Sequence, residues 1–545
     1  MINLKGYKRS GSVVAAGVLA AMALAAVLVA VATAADHERH NLSVTDTFIS
    51  ASPGLAAGGD RVAVVWTEEY IENLGKGYGH VYLRSGSGDG RSWGSKVTVF
   101  SGGASAYAIN ASVAVAGTTA HVVYVVVVDG SFYYVYHEEC DLSEGTCEDV
   151  PTVLSTSPSN EISWVDVAVD EDGDPHVVWE QRSATKKGEI RYRAFGGSSW
   201  GGIEGVHTGA DDRTPAIACA NGYVHVVWNY VGGYGRIQYR RRHAGGWGGV
   251  RNVYQALSDE QPYKPDVAAW GSRVFVVWDW CNDYLPVSPP CDRFSLSYQR
   301  SNDNGDTWLS SRDVGTDRTS FPEMYESTDN EDWAPSEYLA NLRPSIGLGD
   351  EGWPAVVWHV GGSGEGDYYR IYYAYALAGT TNSVNWVVSH TVLNQDTSSD
   401  AGAAAAGMEG QQLHTAYMQQ EVGEEWNVYY EGFSFHPHAV INAPAMVAVT
   451  QPVTITLDGG NSYDPQGAPV LTYTWQLLEK PAGSAAGLSD SSAVSPTIIF
   501  DELGRYRVTL QVETELASSP VETKSILAVE QVCIVYLPLV MRQSP

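Results

Sequence analysis

The sequence predicts an all-β chain, a ring of seven small sheets followed by a second all-β domain, and three observations carry that prediction. A short apolar strand closing on an aromatic recurs at residues 62–66, 121–124, 176–179, 225–228, 275–278, 355–358 and 414–417. The closing residues Trp66, Tyr124, Trp179, Trp228, Trp278, Trp358 and Tyr417 fall 58, 55, 49, 50, 80 and 59 residues apart, a period at which self-similarity signals radial or stacked repeats. The neighbours recur too: a Pro- or Ser-led strand before each, an Ile-Tyr-Tyr type strand after it, then a turn bearing Gly and Trp and a weaker fourth strand. Each unit therefore reads as a four-stranded antiparallel meander, which is the blade of a β-propeller.

The elements follow in order. Residues 1–34 combine Lys5, Lys8 and Arg9, an apolar run from Val13 to Val31, and Ala32-Thr33-Ala34. That is a signal-peptide layout with cleavage after Ala34, so the protein is expected to be secreted or held at the cell surface. The same run is long enough to serve as an uncleaved membrane anchor. Residues 42–50 read as one orphan strand, and the last unit, residues 401–435, holds only three. The orphan is expected to complete that last blade and remove the free sheet edge. Seven blades over residues 35–435 are preferred to six or eight.

Within the ring, Cys140 with Cys147 and Cys281 with Cys291 bracket two loops and are expected to form disulfides, in keeping with an oxidising compartment. Cys219 lies in a strand among apolar neighbours and reads as a buried thiol, while Cys533 has no evident partner. Residues 170–174 begin like a calcium-binding EF-hand loop, yet Pro175 stands where Gly is required and Gln181 where the closing Glu belongs. A hairpin turn is the better reading. His121, His176, His225 and His414 recur at one repeat position, which argues for shared packing instead of a metal site. Residues 315–342 explain the longest spacing and carry seven acids with Tyr325, Trp333 and Tyr338. Long loops of this kind in compact domains are often functional.

After a linker at 436–438 the signature changes to Leu457-Asp458-Gly459, Ser462-Tyr463-Asp464-Pro465, Tyr473-Thr474-Trp475 and Gly504-Arg505-Tyr506-Arg507-Val508. Residues 439–531 on these motifs resemble a PKD domain, an immunoglobulin-like β-sandwich, which implies a spacer or ligand-binding adaptor. Residues 479–484 depart from the usual glycine-rich turn of that family. Asp458 and Asp464 suit turns in which a carboxylate accepts backbone N–H groups. A calcium site from Asp458, Asn461 and Asp464 is the sharper alternative, calcium being the one cofactor the sequence suggests. The apolar tail, 532–545, is too short to span a bilayer as a helix; it reads as a last strand or as an export or attachment tag.

Charge excludes one class of partner. The chain has 33 basic and 63 acidic side chains and a formal net charge of −30, which argues against general nucleic-acid binding. No Cys/His spacing matches a zinc site.

Ser301-Asn302-Asp303-Asn304-Gly305-Asp306-Thr307-Trp308 matches the Asp-box, and residues 87–93 form a shortened cousin. With the seven-unit pattern, the chain resembles the sialidase-like, Asp-box (BNR) propellers. In that family the box is a structural turn between the third and fourth strands, with Ser301, Asp303, Gly305 and Trp308 as its staple, on the face opposite the ligand. Asp303 is therefore not expected to be a catalytic acid. The resemblance puts the ligand face at the loops after the second strands and before the first. Arg213, Arg343, Lys264, Trp280, Tyr230 and His359 are the binding candidates there, and Glu180 and Asp279 are the candidates for a hydrolytic carboxylate pair. The Arg-Ile-Pro motif and a third clamp arginine of true sialidases are missing, and Lys264 is a poor bidentate substitute. The expected function is binding of extracellular glycans or other polymers. A glycoside hydrolase on the same face is the alternative, and a platform for surface proteins a third reading.

Overall fold

The computed structural model describes residues 39–44, 48–70, 79–155, 161–182, 187–208, 211–232, 235–256, 261–281, 294–308, 343–349, 352, 354–360, 370–377, 385–388, 400–410, 412–420, 426–435, 437–464, 469–514, 518–519 and 521–530. The expected signal segment, the insert at 315–342, Cys291, Cys533 and the tail lie outside the described residues. Regular structure among the described residues is all strand, and no helix there is long and apolar enough to cross a membrane. The chain divides into two compact units, Met1–Phe433 and Ser434–Pro545.

The first unit is a β-propeller. Its described residues form seven antiparallel sheets, whose innermost strands are Phe48–Gly58, Ala106–Ala116, Glu161–Val169, Asp212–Ala220, Gln261–Trp270, Ser345–Leu348 and Asp400–Glu409. Each inner strand lies against the next, and the seventh lies against the first, so the sheets close a ring. In sequence order they are called sheets one to seven below.

Closure is made by the N-terminal strand, with one correction to the expected boundaries. His40 and Asn41 pair with Tyr430 and Tyr429 as the fourth strand of sheet seven, and Leu42 N donates to Val428 O at 2.8 Å. Residues 48–50 instead open the inner strand of sheet one. The run breaks because Val44 turns left-handed (φ 47°), its N–H donating to Asn41 Oδ1 at 3.0 Å. Two strands of different sheets thus stand where one orphan was expected.

The core lies between sheets. Trp66, Trp179, Trp228 and Trp358, the repeat's closing aromatics, are fully buried, each in a cluster shared by neighbouring sheets. Truncating a core Trp to Ala costs about 3–5 kcal/mol. The repeated histidines pack as expected. His176, His225 and His414 share hydrogen bonds of 2.6, 2.8 and 2.7 Å through Nδ1 with the Tyr192, Tyr239 and Tyr430 hydroxyls, and His121 meets His137 at 3.1 Å. Each partner ring then supports a tryptophan of the next sheet's turn: Trp247 on Tyr192, Trp308 on Tyr239, Trp93 on Tyr430 and Trp200 on His137. Burial drives the imidazoles of His225 and His414 down to about 3 and about 4 and keeps them neutral.

Turns have equally local causes. Asp170 Oδ1 accepts the N–H groups of Asp172 and Asp174 at 3.0 and 2.9 Å, closing the hairpin that looked like a calcium loop. At 301–308, Asp303 accepts from Thr307 N at 2.8 Å and Thr307 Oγ1 at 2.6 Å, and Gly305 sits at φ 77°. Cys140 and Cys147 form a disulfide; Cys219 is a free thiol.

The second unit is a two-sheet sandwich. One sheet runs Met446–Ala448, Glu522–Val529, Gly504–Glu513, Thr472–Glu479, and the other pairs Val453–Thr456 with Thr497–Phe500. Trp475, Tyr506, Leu510, Ile498 and Phe500 fill the space between them. His438 belongs to this unit, exchanging backbone hydrogen bonds with Tyr463.

Candidate functional site

The inner strands share a defect that builds the site. In six of the seven the pairing register with the second strand slips near its start, between Ala51 and Gly54, Ala108 and Asn110, Ile162 and Trp164, Arg213 and Ala216, Tyr263 and Asp266, and Gly402 and Ala405. Such bulges bend a strand and re-aim its side chains. Five non-glycine residues, four in these slips and Arg343 just before the inner strand of sheet six, are left-handed: Ser52, Thr214, Lys264, Arg343 and Ala403, with φ of 50, 44, 35, 42 and 50°. The first four precede a proline. An L-residue held there costs on the order of 1–3 kcal/mol and persists only where its surroundings impose it.

All five line one cavity of about 280 Å³ on the inside of the ring, with Asn110, Ser112, Trp164, Asp166, Asp266 and Ser345 among its other walls. Lys264 and Arg343 are the lysine and arginine of that lining. Burial, then the neighbouring Arg343 guanidinium, push the Lys264 amine down to about 7, against the opposing pull of Asp279.

Beyond the bulges a polar belt joins the inner strands. Asp166 accepts from Ser112 Oγ of sheet two at 2.7 Å and from Ile217 N of sheet four at 2.9 Å. Asp266 accepts from Ser345 Oγ and Ile346 N of sheet six at 3.0 and 2.9 Å, and Ser345 Oγ in turn accepts from Ala406 N of sheet seven at 3.1 Å. Burial followed by repulsion from Asp266 raises the Asp166 carboxyl to about 7; burial raises Asp266 as well.

The carboxylates singled out in the sequence sit one layer behind the cavity. Glu180, 1% exposed, accepts from Arg182 Nε at 2.6 Å and from the bulge amide of Thr214 at 3.1 Å, with Arg213 at 3.6 Å. Asp279 is fully buried in sheet five, opposite Tyr263. Both directly follow a closing Trp, as do Asn229 and His359, and this repeat position reaches toward the next sheet: Asn229 Nδ2 donates to Pro262 O at 3.4 Å.

Of the binding candidates, the structure brings Lys264 and Arg343 together in the cavity lining. Arg213 is ion-paired with Asp211 at 2.8 Å, Tyr230 carries the Arg236 guanidinium 5.3 Å from its ring centroid, and His359 is buried. The Trp280 side chain and the Cys281–Cys291 pair fall outside the described residues. In the sandwich, Asp458 accepts from Gly460 N and Ser495 Oγ at 2.9 and 3.0 Å, Asp464 accepts from Thr514 Oγ1 at 3.0 Å, and Asn461 is exposed. Among the described residues no three His, Cys, Asp or Glu side chains gather as a metal site.

Sequence reasoning missed Asp166 and Asp266. Their signal was present: Ser112, Asp166, Asp266 and Ser345 are polar residues at one repeat position of otherwise small, apolar inner strands.

No protein-family model matches this chain, and no curated protein matches it in sequence. Among solved structures it is similar to an ulvan lyase of a new polysaccharide lyase family, at 9% identity over 72% of this chain and 95% of that one, with a TM-score of 0.45. It is similar to the sialidase of Trypanosoma rangeli in complex with the inhibitor DANA, at 10% identity over 89% of each chain and a TM-score of 0.37. The endosialidase of phage phi92 shares 8% identity over 94% of this chain and 90% of its own, with a TM-score of 0.40. At such distances what those proteins act on does not carry over to this chain.

Proposed function

We propose that this is an exported, seven-bladed propeller that binds an anionic extracellular polymer, an acidic glycan in the first instance, at the cavity mouth formed by Lys264 and Arg343. One observation carries the reading. In a chain whose formal charge is −30, two cations from neighbouring sheets are held on left-handed backbone at the lining of the same cavity. A concave site with a few fixed polar groups is the usual form of a small-ligand subsite, and arginine suits the flat, bidentate geometry of a carboxylate or sulfate. The sandwich, read as a PKD-like module, serves as spacer or adaptor, and the Cys140–Cys147 disulfide suits an exported protein.

Binding without cleavage is the favoured form of this reading. Glu180 is tied to Arg182 and to the Thr214 amide, and Asp279 is fully buried, so neither is presented as a solvent-facing acid or base. The test is a panel of fluorogenic glycosides run beside a glycan array on one preparation. Array binding with no turnover is expected. Turnover abolished by Glu180→Gln or Asp279→Asn would make the protein a hydrolase, and silence in both assays would favour a protein partner.

A further inference from the structure

We propose that Lys264 is a nucleophilic lysine, whose amine condenses with the carbonyl carbon of a small 2-oxo acid while Arg343 holds that acid's carboxylate. The inference rests on the reading of the cavity mouth as an anion site, and it adds a covalent step and a ligand class.

The geometry is specific. Lys264, in the bulge of sheet five's inner strand, and Arg343, just before the inner strand of sheet six, are each left-handed and each followed by a proline, and both line the same cavity. An amine beside a guanidinium matches a ligand whose carbonyl is bonded directly to its carboxylate. The volume, about 280 Å³, suits a ligand of few heavy atoms, since drug-sized pockets run from roughly 300 to 1,000 Å³. The charged groups around the amine are Arg343 from sheet six and Asp279 from the second strand of its own sheet, with Asp266 and Asp166 in the same lining. Burial and Arg343 keep much of the amine neutral near neutral pH, despite Asp279. Desolvation or a cationic neighbour is how proteins activate lysine as a nucleophile.

The step balances without any further reactant. The Lys264 nitrogen lone pair forms the C–N bond, one amine proton passes to the carbonyl oxygen, and the carbinolamine loses its hydroxyl with the second amine proton as water to leave an imine. The Arg343 guanidinium stays bonded to the carboxylate throughout. Borohydride, added as a trap, delivers hydride to the imine carbon and fixes the adduct as a secondary amine.

The full chain is incubated with pyruvate and sodium borohydride, and the sites are read by intact mass and peptide mapping. One adduct at Lys264 is expected, forming about tenfold faster than at other lysines and faster as pH rises through about 7. Lys264→Arg, which keeps the charge, should abolish it, and Arg343→Gln should slow it. Acetone, which has no carboxylate, should be trapped poorly by the wild type. Labelling spread evenly over the lysines, or no adduct at Lys264 in a protein that still binds anionic glycans, would overturn the inference while leaving the binding reading in place. An adduct at Lys264 in a protein that binds no glycan would support the inference and reject the polymer.

Discussion

Lys264 and Arg343 stand at one repeat position: each is a left-handed residue before a proline, two residues ahead of a polar inner-strand residue (Asp266 or Ser345), and each lines the same cavity. Their charges therefore meet by the symmetry of the ring, although 78 intervening residues separate them in sequence. Neighbouring cations repel, and burial sharpens the repulsion. Asp279 acts on Lys264 in the opposite sense, and an anionic ligand at the cavity would add to that attraction.

The turn glycine Gly305 should tolerate no side chain. It sits at φ 77°, and an added Cβ would come 2.0 Å from the Tyr239 hydroxyl. Gly305→Ala is expected to destabilise the propeller by about 2–4 kcal/mol, the sum of backbone strain and steric conflict, as measured by denaturant unfolding. An unchanged midpoint would mean that the turn does not seat on sheet four.

Asp166 should give the protein a measurable pH dependence. Its folded-state carboxyl titrates near 7, above the ordinary carboxylate range, so the folded state binds that proton more tightly than the unfolded chain. The resulting stability is fully present below about pH 4 and is lost as pH rises through about 7. Asp166→Asn keeps the shape and removes the titration. The melting temperature of the wild type minus that of the variant should therefore fall between about pH 5 and pH 8; a constant or growing difference would contradict the assignment.

Ring closure should depend on Ser43. Its hydroxyl donates to Asn427 Oδ1 at 2.8 Å and accepts from Val428 N at 2.9 Å, in a buried setting. Ser43→Ala is expected to cost about 1–3 kcal/mol by leaving those groups unsatisfied, and to speed amide exchange in residues 426–431 ahead of the rest of the ring. Uniform exchange would argue against a latch at this seam.

Much of the architecture was legible because the repeat is physical: an aromatic that must be buried between sheets, Trp in five and Tyr in two, recurs once per sheet, and the pattern survives in apolar residues alone. The histidine position was read correctly as packing for the same reason. The N-terminal seam was misread, since an apolar and polar mixture over residues 42–50 does not reveal that Val44 turns left-handed and divides it. Lys264 and Arg343 were legible as loop-end cations, but their shared left-handed geometry was not, because a proline at the next position ordinarily biases a residue toward extended backbone. Asp166 and Asp266 stayed hidden because a carboxylate in a strand reads as solvent-facing, while here the inner face of the strand lines a channel.

The most direct test of the central claim is a glycan array carrying neutral, uronate-bearing and sulfated glycans, probed with the wild-type protein and with the Lys264→Ala/Arg343→Ala double variant. The predicted result is binding confined to anionic glycans and weakened at least tenfold in the folded variant, equivalent to about 1.4 kcal/mol or more. Equal binding by the variant, or wild-type binding to neutral glycans alone, would contradict it.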